Sequence, residues 1–154
     1  YPNIASTPFF NTPGVERHRI VASGTVQLPW DFRLSSIITL GSGRPFTAFN
    51  PGNGAKPDWF AYYPKKYSFI LPNAFAFRQV DLRLAKSFDT WAGQRVELTV
   101  DAINVFNFRN YNGFNQTYRI NNNTPASALN GTFGLPTSQF LPTRSLQVGL
   151  RYAF

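Results

Sequence analysis

Apolar and polar residues alternate with a period of two through long stretches of this 154-residue chain. Successive side chains of a β-strand point to opposite faces of a sheet, so this period predicts strands with one apolar face. Five such stretches lie near residues 17–28, 32–47, 77–88, 95–107 and 144–154. The sequence therefore predicts an all-β chain of about five long antiparallel strands in an up-and-down meander.

The predicted strands and their connections have lengths that are unusual for a soluble domain. The strands have roughly 11 to 16 residues, against about 5 to 6 in a typical globular protein. Short turns at Pro29-Trp30-Asp31 and near residues 90–94 alternate with long segments rich in Asn, Gly and Pro, near residues 50–76 and 108–143. Short turns on one side and long loops on the other are typical of a transmembrane β-barrel. We therefore expect a segment of such a barrel in a bacterial outer membrane.

The five predicted strands share one parity, which predicts how each face is used. Apolar residues fall mostly on even numbers and polar residues on odd numbers. We therefore expect the even residues to face outer-membrane lipid, or an apolar partner surface, and the odd residues to face a polar interior. Lys86 is the charged exception at an even position, and its ammonium group can reach the membrane interface along its aliphatic stem.

Aromatic residues collect beside the short turns, and the four nearest are Trp30, Phe32, Phe88 and Trp91. An amphipathic ring is stable at the depth of the lipid headgroups, so this position predicts an interfacial girdle. The alternative is that these rings cover the core of a soluble β-sandwich.

Composition excludes several functions. Charged residues make up 14% of the chain, against about a quarter in soluble domains. There are no Cys residues, which excludes disulfides, zinc sites built on Cys and thiol nucleophiles. The net charge of +8 would suit nucleic acid, but the basic residues are dispersed along the strands, so no nucleic-acid partner is expected.

No combination of residues predicts a catalytic, cofactor or metal site, and we expect the chain not to be an enzyme. His18 is the single His of the chain. The acidic residues Asp81, Glu97 and Asp101 are spread along strands that also carry Arg83 and Arg95. This spacing favours ion pairs in a polar interior over a pair of acid–base carboxylates.

The last eight residues form the sharpest local motif. Gln147, Gly149, Tyr152 and Phe154 give the order polar, Gly, aromatic, aromatic, ending at the carboxyl terminus. This pattern resembles the β-signal that the barrel-assembly machinery recognises in outer-membrane proteins. Strand addition explains such recognition, because an extended edge offers backbone hydrogen bonds and alternate side chains add specificity. The alternative is an ordinary last strand with aromatic residues on its apolar side.

Four blocks of sequence together resemble the C-terminal part of TonB-dependent receptors of Gram-negative bacteria, and among these the Oar-like group with a carboxypeptidase-regulatory-like domain. The blocks are Ser42-Gly43-Arg44-Pro45-Phe46-Thr47, Arg78-Gln79-Val80-Asp81-Leu82-Arg83-Leu84-Ala85-Lys86-Ser87-Phe88, Ala102-Ile103-Asn104-Val105-Phe106-Asn107 and the closing Arg144 to Phe154. The resemblance implies a barrel of about 22 strands, a plug domain and energy from the TonB complex. The chain would then be a wall segment that takes part in uptake only within a complete barrel of a parent protein.

Two further hypotheses concern contacts outside the chain. Arg44, Asn107, Asn110 and Asn112 lie where strands meet the long loops and could contact a substrate. For Arg44 the alternative is that Gly43 and Pro45 end the strand and Arg44 faces the polar interior. The three Asn residues, together with Asn104, could contact a glycan or peptide; alternatively they end strands and form turns. The second hypothesis is a different function. A secreted or surface β-protein would use its unpaired strand edges to bind other copies, as a fibre or adhesion subunit.

The sequence also predicts the register of two hairpins. A three-residue turn places Gln27 opposite Arg33 and Leu28 opposite Phe32, so that Gly24 meets Ser36 and Ala22 meets Ile38. In the second hairpin one register sets Asp81 opposite Asp101, which is unfavourable because the charges are alike. A shift of two residues sets Arg83 opposite Asp101 and Arg95 opposite Asp89, with Leu84–Val100 and Phe88–Val96 on the apolar side, and we predict this register.

Overall fold

The computed structural model describes residues 14–49, 57–90, 93–118, 130–140 and 143–154. In these ranges the chain is all-β with almost no helix, as predicted. The strands are β1 (Arg19–Leu28), β2 (Phe32–Gly41), β3 (Phe46–Phe49), β4 (Pro57–Tyr62), β5 (Tyr67–Phe69), β6 (Leu71–Phe75), β7 (Phe77–Asp89), β8 (Arg95–Ile103), β9 (Tyr111–Phe114), β10 (Pro136–Gln139) and β11 (Ser145–Ala153).

The chain divides into two compact units. The sheet unit comprises Arg19–Gly41, Phe77–Asn110 and Phe140–Phe154, and the hairpin unit comprises Tyr1–His18, Ser42–Ala76 and Tyr111–Gln139. The sheet unit contains one antiparallel sheet of five strands in the order β1-β2-β7-β8-β11. These are the five long strands that the sequence predicts, and their meander order is confirmed.

The first predicted register is confirmed over the whole β1–β2 hairpin. Leu28 lies opposite Phe32 and Gln27 opposite Arg33, and the same register continues to Gly24–Ser36 and Ala22–Ile38. The turn holds Trp30 and Asp31 at φ of 60° and 59°. Such left-handed backbone is uncommon for residues other than Gly, so this turn is tight and specific.

The second predicted register is also confirmed, together with its ion pairs. Arg83 lies opposite Asp101, and Nε of Arg83 is 2.5 Å from Oδ1 of Asp101. Arg95 lies opposite Asp89 at 2.8 Å. Leu84–Val100 and Phe88–Val96 are the neighbouring apolar pairs. Asp81 instead accepts a hydrogen bond of 2.8 Å from the backbone N–H of Asn104.

Two strands end earlier than the sequence pattern predicts. The stretch near 32–47 is broken after Gly41, and a separate strand begins at Phe46. At the break, Gly43 has φ of 80°, and a Cβ there would come within 2.6 Å of Pro64 and 2.7 Å of Ala76. The stretch near 95–107 ends at Ile103, because Asn104 and Asn107 take positive φ values of 51° and 53°.

The segments expected to be long loops contain small sheets of their own. In the hairpin unit β3 pairs with β4, β5 with β6 and β9 with β10, each pair antiparallel with a shift in register. An aromatic cluster packs inside this unit, with Phe46 stacked on Phe114 at 4.9 Å between ring centroids and Phe133 perpendicular to Tyr62 at 5.1 Å. Strands of three to six residues are too short to show a clear period in the sequence.

Candidate functional site

The five strands of the sheet unit are in phase, so each face of the sheet has one parity. Residues directly opposite each other lie on the same face, and every pair joins even to even or odd to odd. One row across the middle of the sheet shows the result, since it contains only aliphatic residues: Val26, Leu34, Leu84, Val100 and Val148. The expected placement of Ile20, Val26, Leu82, Leu84, Leu98, Val100 and Leu150 on one face is confirmed.

The even face is apolar and open. On β11, Leu146, Val148 and Leu150 are 70%, 73% and 74% exposed. Exposed apolar side chains at even positions also occur on the other four strands, at Ile20, Val26, Leu28, Leu34, Leu84, Phe88, Leu98 and Val100. A sheet in a soluble domain normally buries its apolar face against a second layer. This exposed face is therefore a surface that requires an apolar medium or partner.

The odd face is polar and carries the ion pairs. Besides Arg83–Asp101 and Arg95–Asp89, Arg33 of β2 reaches Glu97 of β8 at 2.8 Å. Their strands are separated by β7, where Ala85 is opposite Arg33 and is only 2% exposed. The small side chain of Ala85 thus leaves room for the Arg33–Glu97 ion pair to pass over β7. Val21 and Ile37 are exposed apolar residues on this face, so the face is mainly, not purely, polar.

Lys86 lies on the even face, and its side chain extends toward the end of the sheet that carries the β1–β2 turn. Its ammonium group donates a hydrogen bond to the carbonyl oxygen of Trp30 in the β1–β2 turn. The same group lies 4.4 Å from the ring centroid of Phe32 and 5.3 Å from that of Phe88. The charge is therefore carried to the rim of the apolar face, as its long aliphatic stem allows.

The expectation that Lys86 is the charged exception of the even face is incomplete, because Arg78 also occupies an even position, opposite Leu40. Arg78 is a buried residue, and its guanidinium carbon lies 4.5 Å from the ring centroid of Phe108. The aromatic ring therefore shields this second charge. The shielding residue comes from beyond β8, and the alternation of the strand gives no sign of it.

Three of the four predicted interfacial aromatic residues lie at one end of the sheet. Trp30 is 80% exposed in the turn, Phe32 is half-buried beneath Lys86, and Phe88 is an exposed neighbour of Val96. Tyr152 also faces Val96, and its ring centroid is 6.1 Å from that of Phe154. The structure thus gathers an aromatic rim there. Trp91 lies outside the described residues.

The C-terminal motif forms the edge strand β11, which pairs with β8 from Ser145–Ile103 to Ala153–Arg95. Gln147 and Gly149 lie at odd positions of β11 and Tyr152 at an even one, whereas Phe154 follows the last residue of the strand. Gly149 also has a local packing role that the sequence pattern does not reveal. A Cβ there would come within 2.6 Å of Oγ1 of Thr99, whose hydroxyl donates a 3.3 Å hydrogen bond to the Gly149 carbonyl.

Two of the Asn residues close the turn that follows β8. Asn104 is 1% exposed, and its amide both accepts from the Phe108 N–H and donates to the Phe108 carbonyl, each at 2.9 Å. Asn107 accepts a 3.2 Å hydrogen bond from the Arg144 N–H. These contacts favour the alternative in which the Asn residues end strands and form turns.

Asn110 extends the ladder of β7 with its side chain. Its Oδ1 accepts from the Arg78 N–H at 2.8 Å, and its Nδ2 donates to the Arg78 carbonyl at 2.7 Å. Nearby, the Val105 N–H donates to the Val80 carbonyl at 2.9 Å. The β7 edge beyond the last residue of β8 is therefore occupied. Because Asn110 is buried and bonded, the structure gives no support to its role as a substrate contact.

The other two possible substrate contacts, Arg44 and Asn112, lie together in the hairpin unit. Both line an open cleft of about 490 Å³, and both are exposed. Gln116 and Thr137 line the same cleft, although the sequence pattern gave no reason to select them. Oδ1 of Asn112 accepts a 2.7 Å hydrogen bond from the Ser138 hydroxyl.

Two other kinds of feature are absent from the part of the chain that the structure describes. Within it, no group of three or more His, Cys, Asp or Glu side chains is placed to hold a metal ion. No helix there is long and apolar enough to cross a membrane.

Comparison with known proteins adds no relative. No protein-family model, no curated protein and no solved structure matches the chain. The function therefore rests on the two faces of the sheet, its rim and its edge strand, together with the motifs in the sequence.

Proposed function

We propose that this chain is a wall segment of a bacterial outer-membrane β-barrel, in the C-terminal part of a TonB-dependent receptor or transporter. It acts in uptake only with the remaining barrel strands and the plug of a parent protein, and it catalyses no reaction itself. Its outer face contacts lipid, its inner face lines the polar interior, and β11 is the strand that the barrel-assembly machinery recognises.

The observation that carries this proposal is the polarity of the sheet. Five strands in phase have an exposed apolar even face and an odd face with three ion pairs among the described residues. In a membrane barrel the outward band is apolar and the lumen is polar. A soluble sandwich would bury the apolar face between two sheets.

Strand length and the position of Lys86 support a membrane location. The five strands have 9 to 13 residues, and a tilted strand of about 9 to 11 residues crosses a bilayer. At one end of the sheet the Lys86 ammonium lies beside the rings of Phe32 and Phe88 and donates to the backbone carbonyl of Trp30. A cation beside aromatic rings at the margin of an apolar face suits headgroup depth.

The narrower assignment to TonB-dependent receptors is supported by the sequence blocks and by what they form. Asn104-Val105-Phe106-Asn107 makes the turn after β8, Gly43 and Pro45 separate β2 from β3, and the final block forms edge strand β11. Each of these blocks therefore forms a different structural feature. The blocks also follow one another along the chain in the same order as in the family they resemble.

Absence of Cys from the chain allows a direct test of the two faces. Single Cys residues are placed at neighbouring positions, Leu34→Cys with Ser35→Cys and Val148→Cys with Gln147→Cys, and a nitroxide is attached in lipid vesicles. We expect the even positions to be more accessible to oxygen, which dissolves in lipid, and the odd positions to a water-soluble nickel complex. Equal accessibility at the two members of both pairs would overturn the proposal.

The second candidate is a secreted or surface β-protein that associates through its strand edges. Its support is the strand order, in which β1 and β11 end the five-stranded sheet. Such edges invite pairing with another chain. Detergent distinguishes the two functions: a barrel wall requires detergent or lipid to stay dispersed, whereas a fibre subunit folds and assembles in buffer alone.

A further inference from the structure

An Asn that is followed by Gly is prone to spontaneous deamidation, because Gly has no side chain to keep its backbone nitrogen away from the neighbouring amide carbon. The chain contains three such pairs: Asn53-Gly54, Asn112-Gly113 and Asn130-Gly131. The first pair lies outside the described residues, whereas the second and third lie in described parts of the hairpin unit. These two pairs have the same chemistry but different surroundings.

Asn112 is the extra residue of a bulge in β9. Tyr111 pairs with Gln139, and Gly113 pairs with Ser138. Because Ser138 and Gln139 are adjacent in β10, no residue lies opposite Asn112. A bulge disrupts the ladder locally and leaves the extra residue unpaired. Asn112 is also exposed, and the described residues give its side chain one hydrogen bond, which Oδ1 accepts from the Ser138 hydroxyl at 2.7 Å.

Packing of the hairpin requires Gly at position 113. A Cβ on Gly113 would overlap the side chains of Thr137 and Ser138 in β10. A larger residue would therefore force the two strands apart. The residue that makes Asn112 reactive is thus fixed by the close approach of β9 and β10.

Asn130 is held more firmly than Asn112. Its Oδ1 accepts hydrogen bonds from the Thr132 N–H at 3.1 Å and from the Thr132 hydroxyl at 2.8 Å. Its Nδ2 donates to the Thr117 carbonyl at 3.0 Å, and its backbone N–H and carbonyl are bonded as well. Rotation of the Asn130 side chain therefore breaks three hydrogen bonds, whereas rotation of the Asn112 side chain breaks one.

We propose that Asn112 is a site of spontaneous deamidation in the folded chain, and that its hydrogen bonds protect Asn130 from the same reaction. The Gly113 backbone nitrogen forms a bond to Cγ of Asn112 and loses its proton. The Cγ–Nδ2 bond breaks, and Nδ2 leaves with that proton as ammonia, which yields a cyclic imide. Water then opens the ring at either carbonyl and gives an aspartyl or isoaspartyl residue. Water is the co-reactant, and no group is oxidised or reduced.

Deamidation changes the charge of the open cleft that Asn112 lines together with Arg44. The described lining of this cleft contains no carboxylate, so the product supplies its first anionic group and lowers the formal net charge of +8 by one. The isoaspartyl product also lengthens the main chain of β9 by one atom before Gly113. This inference goes beyond the proposed receptor function and depends on the hairpin unit alone.

The test incubates the folded 154-residue chain in detergent micelles at mildly alkaline pH and follows each site by peptide mass spectrometry. Trypsin separates the two sites, because Arg119 lies between them. We expect Asn112 to deamidate about tenfold faster than Asn130, since two more hydrogen bonds must break at Asn130. In the chain unfolded by urea the two rates should become similar, because Gly follows both residues.

Two variants complete the test. Thr132→Ala removes one hydrogen bond from Asn130 and should speed deamidation there roughly twofold to tenfold. Asn112→Gln keeps an amide but requires a larger ring for the same attack, so the modification should disappear from its peptide. Hydrogen exchange at the amides of β9 and β10 shows that each variant is folded.

Three outcomes overturn the proposal. The first is equal deamidation of Asn112 and Asn130 in the folded chain. The second is a difference between the two sites that persists in urea, which would make it a property of the sequence and not of the fold. The third is an unchanged rate at Asn130 in folded Thr132→Ala, which would show that its hydrogen bonds do not protect it.

Discussion

The two units of this chain differ in how they cover their main apolar clusters. In the sheet unit, Val148 and Leu150 point away from any described neighbouring layer and are largely exposed. In the hairpin unit, Phe46 and Ala48 are buried, and Phe46 is packed among other rings. The hairpin unit thus buries the centre of its aromatic cluster, whereas the sheet unit leaves the apolar side chains of β11 open. The difference teaches that an apolar pattern in the sequence does not by itself say what covers the apolar side chains.

The two units also differ in how regularly their strands pair. The four strand pairs of the sheet unit keep one register over their full length, whereas all three pairs of the hairpin unit contain a shift. A slip of one residue in the sheet unit would move a whole apolar set to the polar face. In the hairpin unit a shift instead redirects single side chains, such as Thr137 and Asn112.

The largest expected effect is loss of the aromatic cluster. Phe46→Ala should destabilise the hairpin unit by about 3 to 5 kcal/mol, because a buried ring leaves a cavity. The measurement is hydrogen exchange at the amides of β3 and β9. Leu71→Ala, at an exposed position of the same unit, should cost less than about 0.5 kcal/mol. Similar exchange in both variants would show that the cluster is not the core of this unit.

The next effect tests the medium around the sheet unit. Leu84→Arg places a charge in the central row of the even face and should cost about 2 to 4 kcal/mol in lipid. Gln147→Arg adds the same side chain to the odd face and should cost little. Urea unfolding in vesicles measures both variants. If Gln147→Arg is the more harmful change, the faces are assigned the wrong way round.

A smaller effect concerns two glycines of the sheet. Gly149→Ala should destabilise the chain by about 1 to 3 kcal/mol, because the new methyl group meets the Thr99 hydroxyl. Gly24→Ala is the matched control, since nothing lies within 4 Å of the position that its new methyl group would occupy. Thermal unfolding of both variants, and of Gly149→Ala combined with Thr99→Ala, completes the comparison. Without rescue in the double variant, the clash is not the cause.

The smallest effect tests the register of β7 and β8. Arg83→Asp sets like charges opposite Asp101, and exchanging both residues, Arg83→Asp with Asp101→Arg, restores an attractive pair. We expect a slightly lower melting temperature for the single variant and recovery in the exchanged pair, since exposed ion pairs contribute little. Raised salt should reduce the difference. A difference that persists unchanged at high salt would argue against a charge effect.

The long strands and both registers could be predicted from the sequence for a physical reason. The period of two is local to each strand. The register of β7 against β8 could be chosen because it decides whether Arg83 lies opposite Asp101 and Arg95 opposite Asp89. The direction taken by the Lys86 ammonium group also followed from a local property, the length of its aliphatic stem. These are properties of one strand or of adjacent strands.

Contacts between residues far apart in sequence had to come from the tertiary structure. Pro64 and Ala76 leave no room for a Cβ at Gly43, where the strand pattern breaks. Phe108 shields Arg78, and Asn110 takes the place of a strand along the β7 edge. The open cleft that Asn112 and Thr137 line likewise depends on a shift of register between β9 and β10. Alternation along a strand reports which face is apolar, but close approach and side-chain pairing between distant segments are decided only when the chain packs.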